Sequence, residues 1–295
     1  MLSPSAALES APIDFAALMR KRGKSFYLAS LVLPRAVAQH AMALYAFCRQ
    51  VDDIADGDAP LGSKQAQLNA LLARLKQTSM PQNIAAMPLF TTKIETRAAT
   101  DLIETSLRDA EHWPIQTQAD LLDFCYGVAG TVGVMMCPVL GANGDLARCY
   151  AANLGVAMQL TNIARDVLED AAMQRCYIPQ TWLQTPMSMQ EYLNGKEAVN
   201  ARIQAFKAVF QLIDLADDYY KRAEPGFVYI PWRARFAIFV AARVYRAIGV
   251  KIQRGVINGG VTYWQARTVV SPWGKALAIA DASVRFVRSL VQRAV

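Results

Sequence analysis

Eight stretches of this chain repeat apolar residues at helical spacing, and several are apolar on nearly every face. A helix without a polar face has to be surrounded by other helices, so the pattern requires a large all-α bundle. Alternating strand patterns are scarce. The spacing predicts helices over Ala36–Ala55, Gly62–Gln77, Ile94–Ala110, Gln116–Val134, Ala147–Glu169, Lys196–Ala223, Arg233–Arg254 and from Lys275 onward. Breaks are expected at Asp58-Ala-Pro, Met80–Pro88, Trp113-Pro, Ile178-Pro, Glu224-Pro-Gly and Gly255–Gly260. No stretch is long or polar enough to be a linker, and no repeat is visible. The expectation is one domain over residues 1–295, with 1–20 a mobile N-terminal tail.

Composition narrows the function classes. The chain is 54% hydrophobic and 19% charged, which is greasy for a water-soluble protein. Its longest uncharged run, Phe124–Gly144, has the length of a membrane span. That run contains five glycines and Pro138, so it reads as a buried, interrupted helix. Met1–Phe15 carries Glu9 and Asp14 and lacks the order of a signal peptide. Five scattered cysteines without a CxxC point to reduced thiols in a cytoplasmic setting. With only two histidines, His40 and His112, imidazole metal sites and Ser-His-Asp triads are nearly excluded. The charge of +7 calls for an anionic partner. Its cations are spread out, with no basic run interleaved with aromatics, which argues against nucleic acid. A diphosphate substrate or an anionic membrane surface suits them better.

Two polar stripes interrupt the apolar pattern. In "YAFCRQVDDIAD", Tyr45, Arg49, Asp52 and Asp56 are separated by 4, 3 and 4 and share one helix face. In "GVAMQLTNIARDVLEDAAMQRCYIP", Gln159, Asn162, Asp166 and Asp170 are separated by 3, 4 and 4. A buried carboxylate pair one turn apart takes up a proton or needs a cation. Hard oxygen donors without His or Cys select Mg²⁺ or Mn²⁺. Magnesium takes one or two protein carboxylates and completes its shell with water and phosphate oxygens, which implies a phosphorylated ligand. Arg49 and Arg165 are available for its remaining charge.

A single DxxxD on a helix is most often a solvated face. Asp214 and Asp218 form one beside Lys221 and Arg222, and they read as surface. The two stripes differ in having apolar flanks and an amide, Arg or Tyr in register. Whether the first motif is DDxxD, with Asp53, or DxxxD is open at this level.

The chain resembles the squalene/phytoene synthase family, the head-to-head prenyl synthases. The resemblance rests on "KSFYLASLVLP", "ALYAFCRQVDDIAD", "FCYGVAGTVGVMMCPVLG", "AMQLTNIARDVLEDAAMQRCYIP" and "AARVYRAIGVKI", in family order from Lys24 to Ile252. It implies a single all-α isoprenoid-synthase domain around a central apolar cavity. Only DxxxD is common to both motifs, so Asp53 falls off the axis. The resemblance assigns Asp52, Asp56, Asp166 and Asp170 to Mg²⁺–diphosphate binding, with Asn162 as a further ligand and Gln159 beside it. Arg49 and Arg165 match diphosphate or acid-orienting positions. Lys24, Ser25 and Phe26 match an N-terminal contact region, Tyr45, Tyr126 and Tyr245 aromatics at the reaction centre, and Arg267 a C-terminal diphosphate contact.

The implied chemistry is ionisation of an allylic diphosphate, attack by a second alkene to give a cyclopropylcarbinyl diphosphate, rearrangement and proton loss. Aromatic faces stabilise such cations, and water has to be kept out. Three glycines in "YGVAGTVG" serve close packing or chain clearance, and Met135, Met136 and Met158 suit a deformable tunnel wall. "VMMCPVLG", the second aspartate motif and "RVYRAIGVKI" resemble bacterial phytoene synthases most. That implies two geranylgeranyl diphosphates condensing through prephytoene diphosphate to 15-cis-phytoene, in carotenoid biosynthesis. The alternatives are a dehydrosqualene- or presqualene-type synthase using farnesyl diphosphate and, in another class, a non-catalytic isoprenoid-binding subunit. No Gly-rich dinucleotide turn is present, so no NADPH is expected. The basic amphipathic terminus "VRFVRSLVQRAV" suits peripheral membrane contact near downstream carotenoid enzymes.

Overall fold

Wherever the apolar spacing runs unbroken, a helix forms. The computed structural model describes residues 14–23, 26–27, 30–76, 93–183, 198–255, 263–264 and 267–291. Lys24, Ser25 and the Met80–Pro88 break lie outside the described residues, as does nearly all of the Gly255–Gly260 break. In chain order the helices are α1 (Phe15–Arg22), α2 (Arg35–Asp56), α3 (Leu61–Lys76), α4 (Lys93–Ala110) and α5 (Gln118–Cys125). A π turn (Tyr126–Gly130) leads into α6 (Thr131–Val139) and α7 (Asp145–Ala172). Then come α8 (Ala198–Ala223), a 3₁₀ turn (Glu224–Tyr229), α9 (Trp232–Arg254) and α10 (Pro272–Val291). The fold is all-α, with no strand among the described residues.

Two boundaries differ from expectation. Within the segment expected as a tail α1 forms, and the Asp14 side chain caps it by accepting from the Ala17 N–H at 2.9 Å. Met19 on that helix is 3% exposed, and its burial is what holds the segment down. The helix expected to end near Val134 continues to Val139. Its interruption is the π turn, and Pro138 is accommodated in the last turn of α6. Gln118–Val139 is long and apolar enough to cross a membrane. Here it packs against α4 and α7, with Leu121, Cys125, Thr131 and Met135 fully buried.

Helix α7 is the centre of the bundle and packs against α6, α8 and α9. Close approach there is glycine's work. A Cβ on Gly133 would lie 2.2 Å from the Ala151 carbonyl oxygen, and one on Gly155 2.1 Å from that of Ala129. Backbone packing of α6 and the π turn on α7 therefore accounts for Gly133 and Gly155. Between these layers lies a cavity of about 290 Å³, lined by α1, α2, the π turn, α6, α7 and α9.

Candidate active site

The cavity is apolar along its body, where Leu44, Val132, Met136, Leu154, Met158 and Ala241 line it. Met135 points elsewhere, fully buried in the core beside Leu102 and Ile103. Both polar stripes reach the cavity: Asp52 from α2, Gln159 and Asn162 from α7. Asp56, Asp166 and Asp170 follow on the same faces, one or two turns toward the helix C-termini. Each stripe thus starts inside the cavity and runs out of it.

Three aromatic rings meet at this end. Phe26 lies 6.3 Å from Tyr45 and 5.4 Å from Tyr245, centroid to centroid, and all three line the cavity. Burial pushes the Tyr245 hydroxyl up to about 12, against the pull of Arg165. Tyr126 is a correction: it is 43% exposed and does not line the cavity. The π turn it opens carries its phenol toward Asp101 and Arg97 of α4, and its ring fills the space a Cβ on Gly130 would need.

The arginines hold acids. Arg49 donates to Asp53 through Nε at 2.9 Å, so Asp53, off the stripe, anchors Arg49 beside it. Helix α7 departs from helical geometry at Asp166 (φ −106°, ψ 16°). At that kink the neighbouring Arg165 grips Asp166 in a forked pair, with Nε–Oδ1 at 2.7 Å. Arg267 adds a second fork at 2.8 and 2.9 Å. Burial works against ionisation of Asp166, but these bonds outweigh it and hold its pKa below the ordinary value.

Asp52 and Asp170 are different. Neither has a hydrogen bond or ion pair to a described residue. Burial first, then Asp56, pushes Asp52 up to about 7. Burial first, then Asp166, pushes Asp170 up to about 8.

The sequence reading missed Arg175. Helix α7 ends in a Schellman turn: Gln174 sits at φ 60°, and the Arg175 N–H donates to the Asp170 carbonyl at 2.9 Å. The turn sends Arg175, with a side chain 9% exposed, across to α2 and α4. It forms a bond with Asp56, donates to the Ala55 carbonyl at 3.1 Å and lies 3.2 Å from Asp109. Tyr177 donates to Asp109 at 2.9 Å. An arginine just past an acid-rich helix end was the available signal.

The decoy behaves as surface. Asp214 is exposed and accepts from Gln253, and Asp218 is exposed and pairs with Lys221.

A divalent ion fits the donor set. The Oδ1 of Asn162, which lines the cavity together with Asp52, is buried without a hydrogen-bond partner. No three acids among the described residues are close enough to cage a metal. That suits magnesium, which takes few protein ligands and draws the rest from phosphate and water.

The squalene/phytoene synthase family model matches residues 19–273. The chain belongs to the squalene/phytoene synthase family. It is 34% identical to a 15-cis-phytoene synthase of Paracoccus sp., over 79% of each chain. It is 33% identical to a 15-cis-phytoene synthase of Enterobacter agglomerans, over 93% of this chain and 96% of that one. A dehydrosqualene synthase crystal structure superposes with a TM-score of 0.75 at 28% identity, covering 93% of this chain and 95% of the other.

Proposed function

We propose that this enzyme joins two geranylgeranyl diphosphates head to head into 15-cis-phytoene, with loss of both diphosphates, as one isoprenoid-synthase domain. The observation that carries this reading is the apolar cavity entered at one end by both acid stripes. Relatives named 15-cis-phytoene synthase support it over the farnesyl alternative.

Asp52, Asp56, Asn162, Asp166 and Asp170 would hold metal ions, one or two side chains to each, and the metal would supply positive charge to the departing diphosphate. Arg49, Arg165 and Arg267 already carry the fixed positive charge at that end, and each exchanges a carboxylate for phosphate oxygens when substrate arrives. Phe26, Tyr45 and Tyr245 present ring faces to the cationic carbons beyond. The dry lining keeps water from the cations. Proton loss ends the sequence, so no reductant is needed. The hydrocarbon product leaves for a membrane, which sets a peripheral, cytoplasmic location.

Purified protein with Mg²⁺ and geranylgeranyl diphosphate, without NADPH, should yield phytoene by mass analysis. A clean preference for farnesyl diphosphate, or a switch to squalene when NADPH is added, would overturn the assignment.

A further inference from the structure

Helix α10 buries one face and leaves another bare. Ala278 and Ala282 pack under α9 with Phe239, Val240 and Val244. The opposite face carries Trp273, Leu277, Val284 and Val287, which are 82%, 72%, 53% and 56% exposed. The exposed alanines Ala276 and Ala280 fill the gaps between them. Spacings of 4, 7 and 3 put the four large residues on one stripe along about 20 Å of helix. Single exposed apolar residues are ordinary, but a continuous stripe led by a tryptophan marks an interaction surface.

Charge identifies the occupant. From Pro225 to Val295 the sequence has 11 Lys or Arg and one acid, Asp281, a balance of +10 against +7 for the whole chain. Everything before Pro225 is therefore net acidic, and nine of the eleven cations lie on α9 and α10, three of them (Arg243, Arg246 and Arg285) paired with Glu224 or Asp217. Asp281, beside the stripe, is already neutralised by Arg243 and Arg285. At the other end the last turn of α9 exposes Lys251 and Arg254. An apolar helix face with a tryptophan in a cationic layer matches an anionic bilayer surface. Another copy of this chain would bring the same positive charge to the contact.

Position gives the match a purpose. Among the described residues α9 lies between α10 and the cavity: Ala237, Ile238, Ala241 and Tyr245 line the cavity, while Phe239, Val240 and Val244 lie against α10. We propose that α10 lies with its Trp273–Val287 stripe in the headgroup boundary of an anionic membrane, so that α10 and then α9 separate the cavity from the lipid. This rests on the reading that the product is a long hydrocarbon.

The test is sedimentation of the full chain with phosphatidylcholine vesicles, with and without phosphatidylglycerol. The protein should pellet with the anionic vesicles, less with neutral ones, and less as salt rises. The Leu277→Asp/Val284→Asp double variant should lower the partition coefficient about tenfold or more, and Trp273→Ser should lower it in the same direction. Circular dichroism checks that both keep the fold. Undiminished vesicle binding by both folded variants overturns the proposal. So does a parent that ignores vesicles and forms a dimer which the double variant abolishes, because the face is then a contact between copies. Turnover in detergent reports separately on the proposed reaction: lost vesicle binding in the parent with phytoene still formed sinks the docking face alone.

Discussion

Arg175, five residues beyond the last acid of the second stripe, binds Asp56, the last acid of the first. The two motifs are thereby tied together by a residue belonging to neither, held from behind by Asp109 and Tyr177. With the guanidinium's charge largely buried, removing it leaves Asp109 and Asp56 uncompensated. Arg175→Ala should lower metal-free stability by about 3 kcal/mol in urea titration. Arg175→Lys keeps the charge but cannot reach Asp56, Asp109 and the Ala55 carbonyl together, and should fall between. An unchanged midpoint in Arg175→Ala would show that the bridge is not formed in solution.

Asp52 and Asp53 are neighbours with different work. Asp52 lines the cavity, whereas Asp53 holds Arg49 from a half-exposed position. Asp52→Asn should reduce turnover about a hundredfold or more, since the metal's charge stabilisation is worth several kcal/mol. Asp53→Asn keeps an acceptor for Arg49 and should cost less than about threefold, the scale of an exposed ion pair. Equal losses at the two positions would restore Asp53 to the metal motif.

The unpartnered acids set a pH dependence. Burial pushes the Asp52 carboxyl up to about 7 and that of Asp170 up to about 8 in the folded chain, well above the ordinary carboxylate range. Between about pH 4 and pH 8 the folded state retains protons that the unfolded chain has released, so stability falls as pH rises through this window. Metal-free melting temperature should decline from pH 5 to pH 8, and Asp170→Asn should flatten the decline. A flat parent profile contradicts the burial of these carboxylates.

The glycine contacts predict a packing failure. Gly133→Ala sets a methyl 2.2 Å from the Ala151 carbonyl oxygen, where backbone cannot yield cheaply. Destabilisation of about 1–3 kcal/mol is expected from denaturant titration. Neutral behaviour would return Gly133 to chain clearance.

Much of this was legible because helical spacing and burial are local in sequence. Asp52 and Asp56, or Asn162, Asp166 and Asp170, share a face wherever the helix lies. The departures arise where the helix stops being ideal. Asp166 leaves helical geometry, which lets the adjacent Arg165 reach it, and no regular wheel pairs neighbours. Tyr126 opens a π turn, whose wider step redirects the ring. Arg175 depends on a left-handed Gln174, a conformation glycine usually supplies and the sequence does not advertise. The partner acid Asp109 is remote in sequence and conspicuous only once folded.

Asn162 separates stability from function. Its Oδ1 is buried with no partner, while its Nδ2 donates weakly to Gln159 at 3.3 Å. An unsatisfied buried acceptor costs a protein about 1–3 kcal/mol, so a purely structural residue here would be a poor choice. Asn162→Leu keeps the branched shape and removes the orphan. It should raise metal-free stability by about 1 kcal/mol, seen as a later urea midpoint. The same variant should lose turnover and need a higher Mg²⁺ concentration to reach half its maximum, because a neutral oxygen donor is gone. A less stable protein with an unchanged Mg²⁺ requirement would mean that Asn162 packs rather than ligates.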